Sequence, residues 1–275
     1  MRVLGVDFTS RPRRAKPIVC AEAELSRGRL VVASLREITD FGAFEALLAE
    51  PGPWVGGFDF PFGQPRALIE QLGWPLDWRG YVERVARLSR EQFRALMDAV
   101  RAARPVGSKY LHRATDIPAG ASSPMKLVNP PVGLMFYEGA PRLVRSGARV
   151  IPCCDGDSAR IALEAYPGML ARQIVSASYK NDARSKQTPA RFSARRRIRD
   201  RLVEGSKEGL GFRLELAPVV SRAVLEDGSG DALDAVLCAA QAGWAWSRRR
   251  RAYDVPADAD PLEGWIAGPA AWAVR

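Results

Sequence analysis

The segment Arg2 to Ser10 constrains this chain more than any other, because it is an apolar run of β-forming residues that delivers a carboxylate. A strand that is apolar on both faces is usually central and covered by helices, and Gly5 within it permits a close neighbour. An acid such as Asp7 is costly there unless it is paired, hydrogen-bonded or bound to a cation. Taken alone, Asp7 is either a structural acid in a turn or a ligand-binding group at the carboxyl end of a central strand.

A second apolar run, 54–60, also carries a carboxylate near its end, at Asp59. The residues between the two runs predict two strands that form a hairpin and then a crossover helix, at 17–25, 29–38 and 40–50. A strand that follows a crossover helix is expected to run parallel to the first strand. We therefore expect Asp7 and Asp59 to emerge at the same edge of the sheet.

The middle of the chain, residues 62–147, has a different character. Its apolar residues recur at helical spacing, and Ser89 with Gln92 forms a capping box. This pattern predicts a mostly helical insertion between two strands of one α/β domain that spans residues 1–275. Inserted segments of this kind often carry substrate contacts.

Three further acids occupy comparable positions later in the chain. Glu164 stands near the end of another apolar β run, and Asp231 with Asp234 opens a helix that is apolar nearly all round. Residues three apart share a face of a helix, so this pair lies together in the first turn. The helix dipole favours one acid there and explains the second less well, and Glu164 by itself is also explained as a structural acid.

The densest basic element is the helix predicted at 189–203, after an N-cap at Thr188. Phosphate binding is the natural use of such a surface, although a solvated helix face explains it equally well. The predicted nucleic-acid contacts are Lys180, Arg191, Arg195, Arg196 and Arg199.

Composition narrows the function classes. The net charge of +10 favours a polyanionic partner, nucleic acid first, unless the chain is simply arginine-rich throughout. A single histidine, His112, argues against histidine-based nucleophilic catalysis, and four cysteines without a CxxC pair argue against zinc. We expect no membrane span and no secretory signal, and unpatterned cysteines predict a cytoplasmic protein. No oligomeric state is predicted.

Five carboxylates therefore stand at strand ends or at the start of a buried helix, and they are the predicted catalytic residues: Asp7, Asp59, Glu164, Asp231 and Asp234. Like charges at close range repel, so such a cluster favours bound cations. Oxygen ligands select Mg²⁺ or Mn²⁺, and two such ions about 4 Å apart can clamp a phosphodiester. Together with a basic surface, the cluster predicts a metal-dependent nuclease.

Five short motifs occur in order along the chain: Val3-Leu4-Gly5-Val6-Asp7, Gly57-Phe58-Asp59-Phe60-Pro61, Glu164-Ala165-Tyr166-Pro167, Asp231-Ala232-Leu233-Asp234-Ala235 and Glu263-Gly264-Trp265-Ile266. Together they resemble the domain-of-unknown-function family "four-two-nine", predicted nucleases of RNase H-like fold. The resemblance implies a mixed five-stranded sheet with helices on both faces. The acid pattern is also similar to that of Holliday-junction resolvases, which implies that Asp7, Asp59, Asp231 and Asp234 are metal ligands.

Two other classes remain open. Actin-like phosphotransferases and ATPases share this sheet topology, but they place a glycine after the first-strand aspartate, where this chain has Phe8. A non-catalytic nucleic-acid-binding module would use the basic surface alone, and it would bind equally well with and without Mg²⁺.

Overall fold

The computed structural model describes residues 1–269, so positions 270–275 of the predicted domain lie outside the described residues. The strands are β1 Arg2–Asp7, β2 Ile18–Ser26, β3 Arg29–Ile38, β4 Trp54–Phe58, β5 Ala148–Ile151, β6 Asp157–Glu164 and β7 Arg213–Leu216. The α-helices are α1 Phe41–Ala49, α2 Arg66–Gln71, α3 Trp78–Ala86, α4 Arg90–Ala102, α5 Asp116–Ala119, α6 Val132–Ser146, α7 Pro167–Ile174, α8 Pro189–Glu204, α9 Ser206–Leu210, α10 Pro218–Glu226 and α11 Asp231–Ser247. Short 3-10 helices cover Arg184–Lys186 and Arg249–Asp254.

Within the described residues the strands form one mixed sheet in the order β5-β6-β4-β1-β2-β3-β7. β2 is antiparallel to both of its neighbours, whereas the other adjacent pairs are parallel. The predicted α/β class is confirmed, but the prediction of five strands is wrong, because this sheet has seven. The count of five was implied by the motif resemblance, and the strands beyond it are the short edge strands β5 and β7, of four residues each.

Helices cover both faces of the sheet. Val3 and Leu4 are neighbours on β1 and both are fully buried, yet they belong to separate apolar clusters. One cluster takes in side chains of α7 to α11, and the other takes in side chains of α1 to α4 and α6. Successive side chains of a strand point to opposite faces of the sheet. β1 is therefore covered by helices on both faces and is also the middle strand of the sheet.

Helix α11 lies directly against the middle of the sheet. A Cβ atom at Gly5 would come within 2.1 Å of the Ala235 carbonyl oxygen, and one at Gly57 would come within 2.5 Å of the Cys238 carbonyl oxygen. Both positions therefore need glycine, as expected for Gly5. This close packing on β1 and β4 fixes the first turn of α11 beside the ends of the two strands.

The chain between β4 and β5 forms helices α2 to α6, which pack mainly on the face that carries α1. The predicted capping box of Ser89 and Gln92 begins α4, and the predicted N-cap Thr188 begins α8. None of the helices in residues 1–269 combines the length and the apolar character needed to cross a bilayer.

Candidate active site

Asp7 and Asp59 lie side by side at the carboxyl ends of two adjacent parallel strands. β1 and β4 are in register from Arg2 opposite Trp54 to Val6 opposite Phe58, and the Asp59 amide donates to the Val6 carbonyl at 2.9 Å. Asp7 is only 8% exposed. The structure thus confirms the expectation that both acids emerge at one edge of the sheet.

The first turn of α11 brings two more acids to this edge. Asp234 is fully buried, and it accepts from the Tyr179 hydroxyl at 2.6 Å and from Lys180 Nζ. Lys16 Nζ donates to both carboxylate oxygens of Asp231, at 2.7 and 3.0 Å. Each acid of α11 is therefore paired with a lysine from a loop: the turn after β1 supplies one, and the segment after α7 supplies the other.

Asp7 and Asp59 differ from the two acids of α11 in their partners and in their pKa values. Neither carboxylate has a hydrogen-bond or ion-pair partner in the described part of the chain. Burial raises the pKa of Asp7 well above its usual range, and the nearby charges of Asp234 and Asp231 add to this effect. Burial also raises the pKa of Asp59 to about 8, against the opposing influence of the Lys180 ammonium.

Lys180 interacts electrostatically with three of the acids, Asp234, Asp7 and Asp59. Burial disfavours its charge, but the carboxylates of Asp234, Asp7 and Asp59 outweigh this and hold the pKa of Lys180 well above its usual value. Its side chain is still 41% exposed. The predicted nucleic-acid contact Lys180 thus stands at the acid cluster itself and remains within reach of a ligand.

Glu164 ends β6, next to β4, but its carboxylate is occupied elsewhere. Arg113 donates to both oxygens, at 2.8 and 2.6 Å, and the Phe62 amide donates to Oε2 at 2.8 Å. Arg113 is buried and also binds Asp116. The structure therefore gives Glu164 a structural ion pair, while its charge still contributes slightly to the raised pKa of Asp59.

The donor chemistry of the site suits a hard divalent cation, since Asp7 and Asp59 offer carboxylate oxygens that no partner satisfies. As the side chains stand, no group of three or more His, Cys, Asp or Glu residues within 1–269 is arranged to hold a metal ion. The lysines explain this arrangement, because Lys180 and Lys16 take up the oxygens of Asp234 and Asp231 that an ion would use. The residue types fit a metal, and a metal would have to displace these lysines.

Two recesses adjoin the cluster. A cavity of about 540 Å³ has Asp59 and Lys180 in its wall, together with residues 164–168 and 175–180. A second recess of about 500 Å³, which we call the basic groove, is lined by Thr9, Ser10, Arg11, Arg13, Lys16, Arg90, Glu91, Arg94, Pro131 and Leu134. The acids thus lie between a mainly apolar cavity and a strongly cationic groove.

The basic groove was not among the predicted sites. The run from Arg11 to Lys16 follows Asp7 directly in the sequence, and this adjacency is the signal that could have indicated it. Arg90 and Arg94 come from α4 in the helical insertion, so only the fold brings them here.

The predicted phosphate contacts on α8 differ in exposure. Arg195 is buried, and its guanidinium donates to the Leu225 and Tyr179 carbonyls at 2.7 to 3.1 Å. Arg195 therefore has a structural role, because it lies on the buried face of α8. Arg196 is exposed, whereas Arg191 and Arg199 are half-buried. Arg191 donates to Ser178 and the Lys186 carbonyl, and Arg199 pairs with Asp200.

Comparisons of this chain with protein-family models, curated proteins and solved structures found no match. The likeness to the "four-two-nine" family is therefore a resemblance of motifs. The residues of the site and their chemistry carry the functional proposal.

Proposed function

We propose that this protein is a metal-dependent nuclease that hydrolyses phosphodiester bonds of nucleic acid at the carboxylate cluster. One observation carries the proposal. Asp7 and Asp59 are two neighbouring acids at the ends of parallel strands, and neither has a hydrogen-bond or ion-pair partner within the described residues. Asp7 is buried and Asp59 is half-buried, and holding unpaired acids in such positions costs stability. Their presence at a ligand-binding edge of the sheet therefore supports a role in catalysis or metal binding.

Mg²⁺ or Mn²⁺ is the proposed cofactor, held by Asp7, Asp59 and one or both acids of α11, Asp231 and Asp234. When bound, such an ion neutralises the carboxylates and polarises a phosphodiester, and two ions are possible. Tyr179 fixes the Asp234 carboxylate through its hydroxyl. Lys180, half-exposed at the edge of the cavity, supplies a positive charge that can contact a phosphate oxygen.

The RNase H-like fold is part of the same proposal. The inner strands β3-β2-β1-β4-β6 make up a mixed five-stranded core in which only β2 is antiparallel, and β5 and β7 extend it by one strand at each edge. This core, together with helices on both faces, supports the assignment that the motifs suggested.

A nucleic-acid substrate follows from the charge of the basic groove. Arg11, Arg13 and Arg94 form no salt bridge within residues 1–269, so their guanidinium groups are available to phosphates. Cationic contacts of this kind supply sequence-independent affinity for the phosphate backbone. The four cysteines form no disulfide, which supports the proposed cytoplasmic location.

A cleavage panel tests the proposal. Single-stranded, duplex, hybrid and branched substrates are incubated with Mg²⁺, with Mn²⁺ and with chelator, and binding is measured in parallel. We expect cleavage only with metal, and we expect Asp7→Asn to abolish it while binding is retained. The matched control is Asp155→Asn, because Asp155 is a surface acid that is 95% exposed. Full activity of Asp7→Asn or activity in chelator would reject the mechanism, and metal-independent binding without cleavage would favour the non-catalytic module.

A further inference from the structure

The cavity beside Asp59 has the size of a small-ligand site. Its volume of about 540 Å³ lies within the range of about 300–1,000 Å³ that is typical of such pockets. A base that is stacked in a duplex cannot enter a recess of this size, whereas a single unstacked nucleotide can. Asp59 and Lys180 are both in the wall, so a ligand in the cavity adjoins the acid cluster.

One wall of the cavity offers an aromatic ring that is held in place. Tyr166 is half-buried, and the Arg172 guanidinium lies 5.0 Å from its ring centroid. Arg172 donates to the Tyr166 hydroxyl at 2.9 Å and also to the Ala119 carbonyl, at 2.5 Å, which belongs to the helical insertion. This clamp ties α7 to the insertion and fixes the ring, and bases stack well on fixed aromatic side chains.

Apart from its charged residues, the lining is apolar with a few hydroxyl groups. Met135 and Val132 come from α6, and the hydroxyls come from Ser122, Ser176 and Ser178. Such a surface suits the face of a base and the hydroxyls of a sugar. The charged residues of the wall are Asp59, Lys180, Arg172 and the Arg113–Glu164 pair. Arg172 is bonded to Tyr166 and Ala119, and Arg113 and Glu164 are bonded to each other, so these three are already engaged and do little to select one base over another.

We propose that this cavity holds one unpaired nucleotide of the substrate, with the base against Tyr166 and the phosphate toward Lys180 and the acids. The inference rests on the proposed nuclease function and deepens it. Phosphates of the same strand would occupy the basic groove, which adjoins the acids through Lys16 on the other side. The substrate is then a strand end or an unpaired stretch, and an uninterrupted duplex interior is excluded.

Nucleoside monophosphates test the cavity without any cleavage. Binding of AMP and CMP is measured by calorimetry in chelator, with inorganic phosphate as the control ligand. We expect both nucleotides to bind more tightly than phosphate. Ser122→Trp, which fills the cavity, should weaken their binding at least tenfold, whereas Val128→Trp, at an exposed residue of the same loop outside the wall, should leave it unchanged. Equal binding by Ser122→Trp, or binding of phosphate as tight as that of AMP, would overturn the inference.

Two variants of Tyr166 separate stacking from folding. Tyr166→Ala should weaken binding roughly 5- to 150-fold, which corresponds to about 1–3 kcal/mol for one stacked base. Tyr166→Phe keeps the ring and its contact with the Arg172 guanidinium but loses the hydroxyl that Arg172 binds, so it should lose much less binding than Tyr166→Ala. An equal loss in both variants would contradict a stacking role. Melting temperatures of both variants are measured to show that each is folded.

Cleavage then distinguishes this inference from the proposed function. With Mn²⁺, single strands and frayed ends should be cut at least tenfold faster than covalently closed duplex circles. Equal rates on both would overturn the inference while leaving the nuclease function in place. Nucleotide binding at the cavity with no cleavage of any substrate would instead reject the nuclease. Preferred binding and hydrolysis of ATP would overturn both in favour of a phosphotransferase or ATPase.

Discussion

The carboxylates of Asp7 and Asp59 interact electrostatically at the ends of adjacent strands, and neither forms a direct ion pair within the described residues. The two lysines of the site form ion pairs with other acids, Lys180 with Asp234 and Lys16 with Asp231. The folded protein therefore keeps two acids, the buried Asp7 and the half-buried Asp59, whose neutral forms are favoured. A site of this kind opposes folding at neutral pH unless a cation or a ligand compensates for it.

Asp7→Asn is expected to raise the melting temperature in chelator at pH 7.5. The amide removes a buried group whose ionised form is disfavoured, and roughly 2–4 °C is expected for each kcal/mol relieved in a protein of this size. Wild type should gain more from added Mn²⁺ than the variant does, because metal binds only the native state. Calorimetric scans with and without Mn²⁺ measure both effects. A lower melting temperature of Asp7→Asn in chelator, with no metal effect on wild type, would make Asp7 a structural acid.

Asp59→Asn is expected to flatten the pH dependence of stability. A carboxyl whose folded pKa is raised contributes stability that is fully present below its unfolded pKa, near 4, and is lost as the pH rises through the folded value. For Asp59 that folded value is about 8. The free energy of unfolding of wild type in chelator should therefore fall between about pH 4 and pH 8, and less steeply in the variant. Urea titrations across this range test it, and parallel curves for the two proteins would contradict the raised pKa.

The positions of these acids could be predicted from the sequence because each acid is part of a strong local pattern. Asp7 and Asp59 end apolar strands, and Asp231 with Asp234 opens a buried helix whose approach depends on Gly5. Strand direction then followed from the crossover helix. These are short-range rules, so one sequence was enough to place four acids at one edge.

The partners of the acids could not be predicted, because they are set by contacts that are distant in the chain. Glu164 and Arg113 are 51 positions apart, and no sequence pattern near either residue predicts their ion pair. The pairing of Lys16 with Asp231 spans 215 positions. Arg195 was read as a surface cation because the arginine-rich stretch of α8 has no clear apolar face, and only the packing of α8 shows which arginine is buried.

Arg113→Met is expected to destabilise the protein by about 3–5 kcal/mol, since it leaves Glu164 and Asp116 buried without their cation. The control is Arg145→Met, because the Arg145–Glu45 pair is exposed and should cost less than about 1 kcal/mol. Burial already raises the pKa of Glu164, and loss of Arg113 would raise it further. The deficit of the variant should therefore be smaller at pH 5 than at pH 8 in urea titrations, and a deficit independent of pH would contradict this account.

Arg195→Ala is expected to reduce stability, whereas Arg196→Ala is expected to affect only nucleic-acid binding. Arg195 donates three hydrogen bonds to two carbonyls from a buried position, so its loss should cost roughly 2–4 kcal/mol of stability. Arg196 is exposed on the same helix, so its loss should leave the melting temperature unchanged and weaken nucleic-acid binding if α8 contacts phosphate. Melting curves and binding at two salt concentrations separate the two. Equal stability of both variants would show that the Arg195 contacts are dispensable.

The basic groove is expected to set the salt dependence of nucleic-acid binding. Arg11 and Arg94 line it, and neither forms a salt bridge within residues 1–269, so each can release a counterion when it meets a phosphate. Log K falls as log salt concentration rises, and each lost contact should reduce the magnitude of this slope by about 0.7 to 0.9. The double variant Arg11→Ala with Arg94→Ala should therefore lose about 1.4 to 1.8 units of slope. The control is Arg27→Ala with Arg29→Ala, at the far turn of the β2–β3 hairpin, which removes the same charge outside the groove. Equal slopes for the two double variants would show that net charge, and not the groove, attracts the nucleic acid.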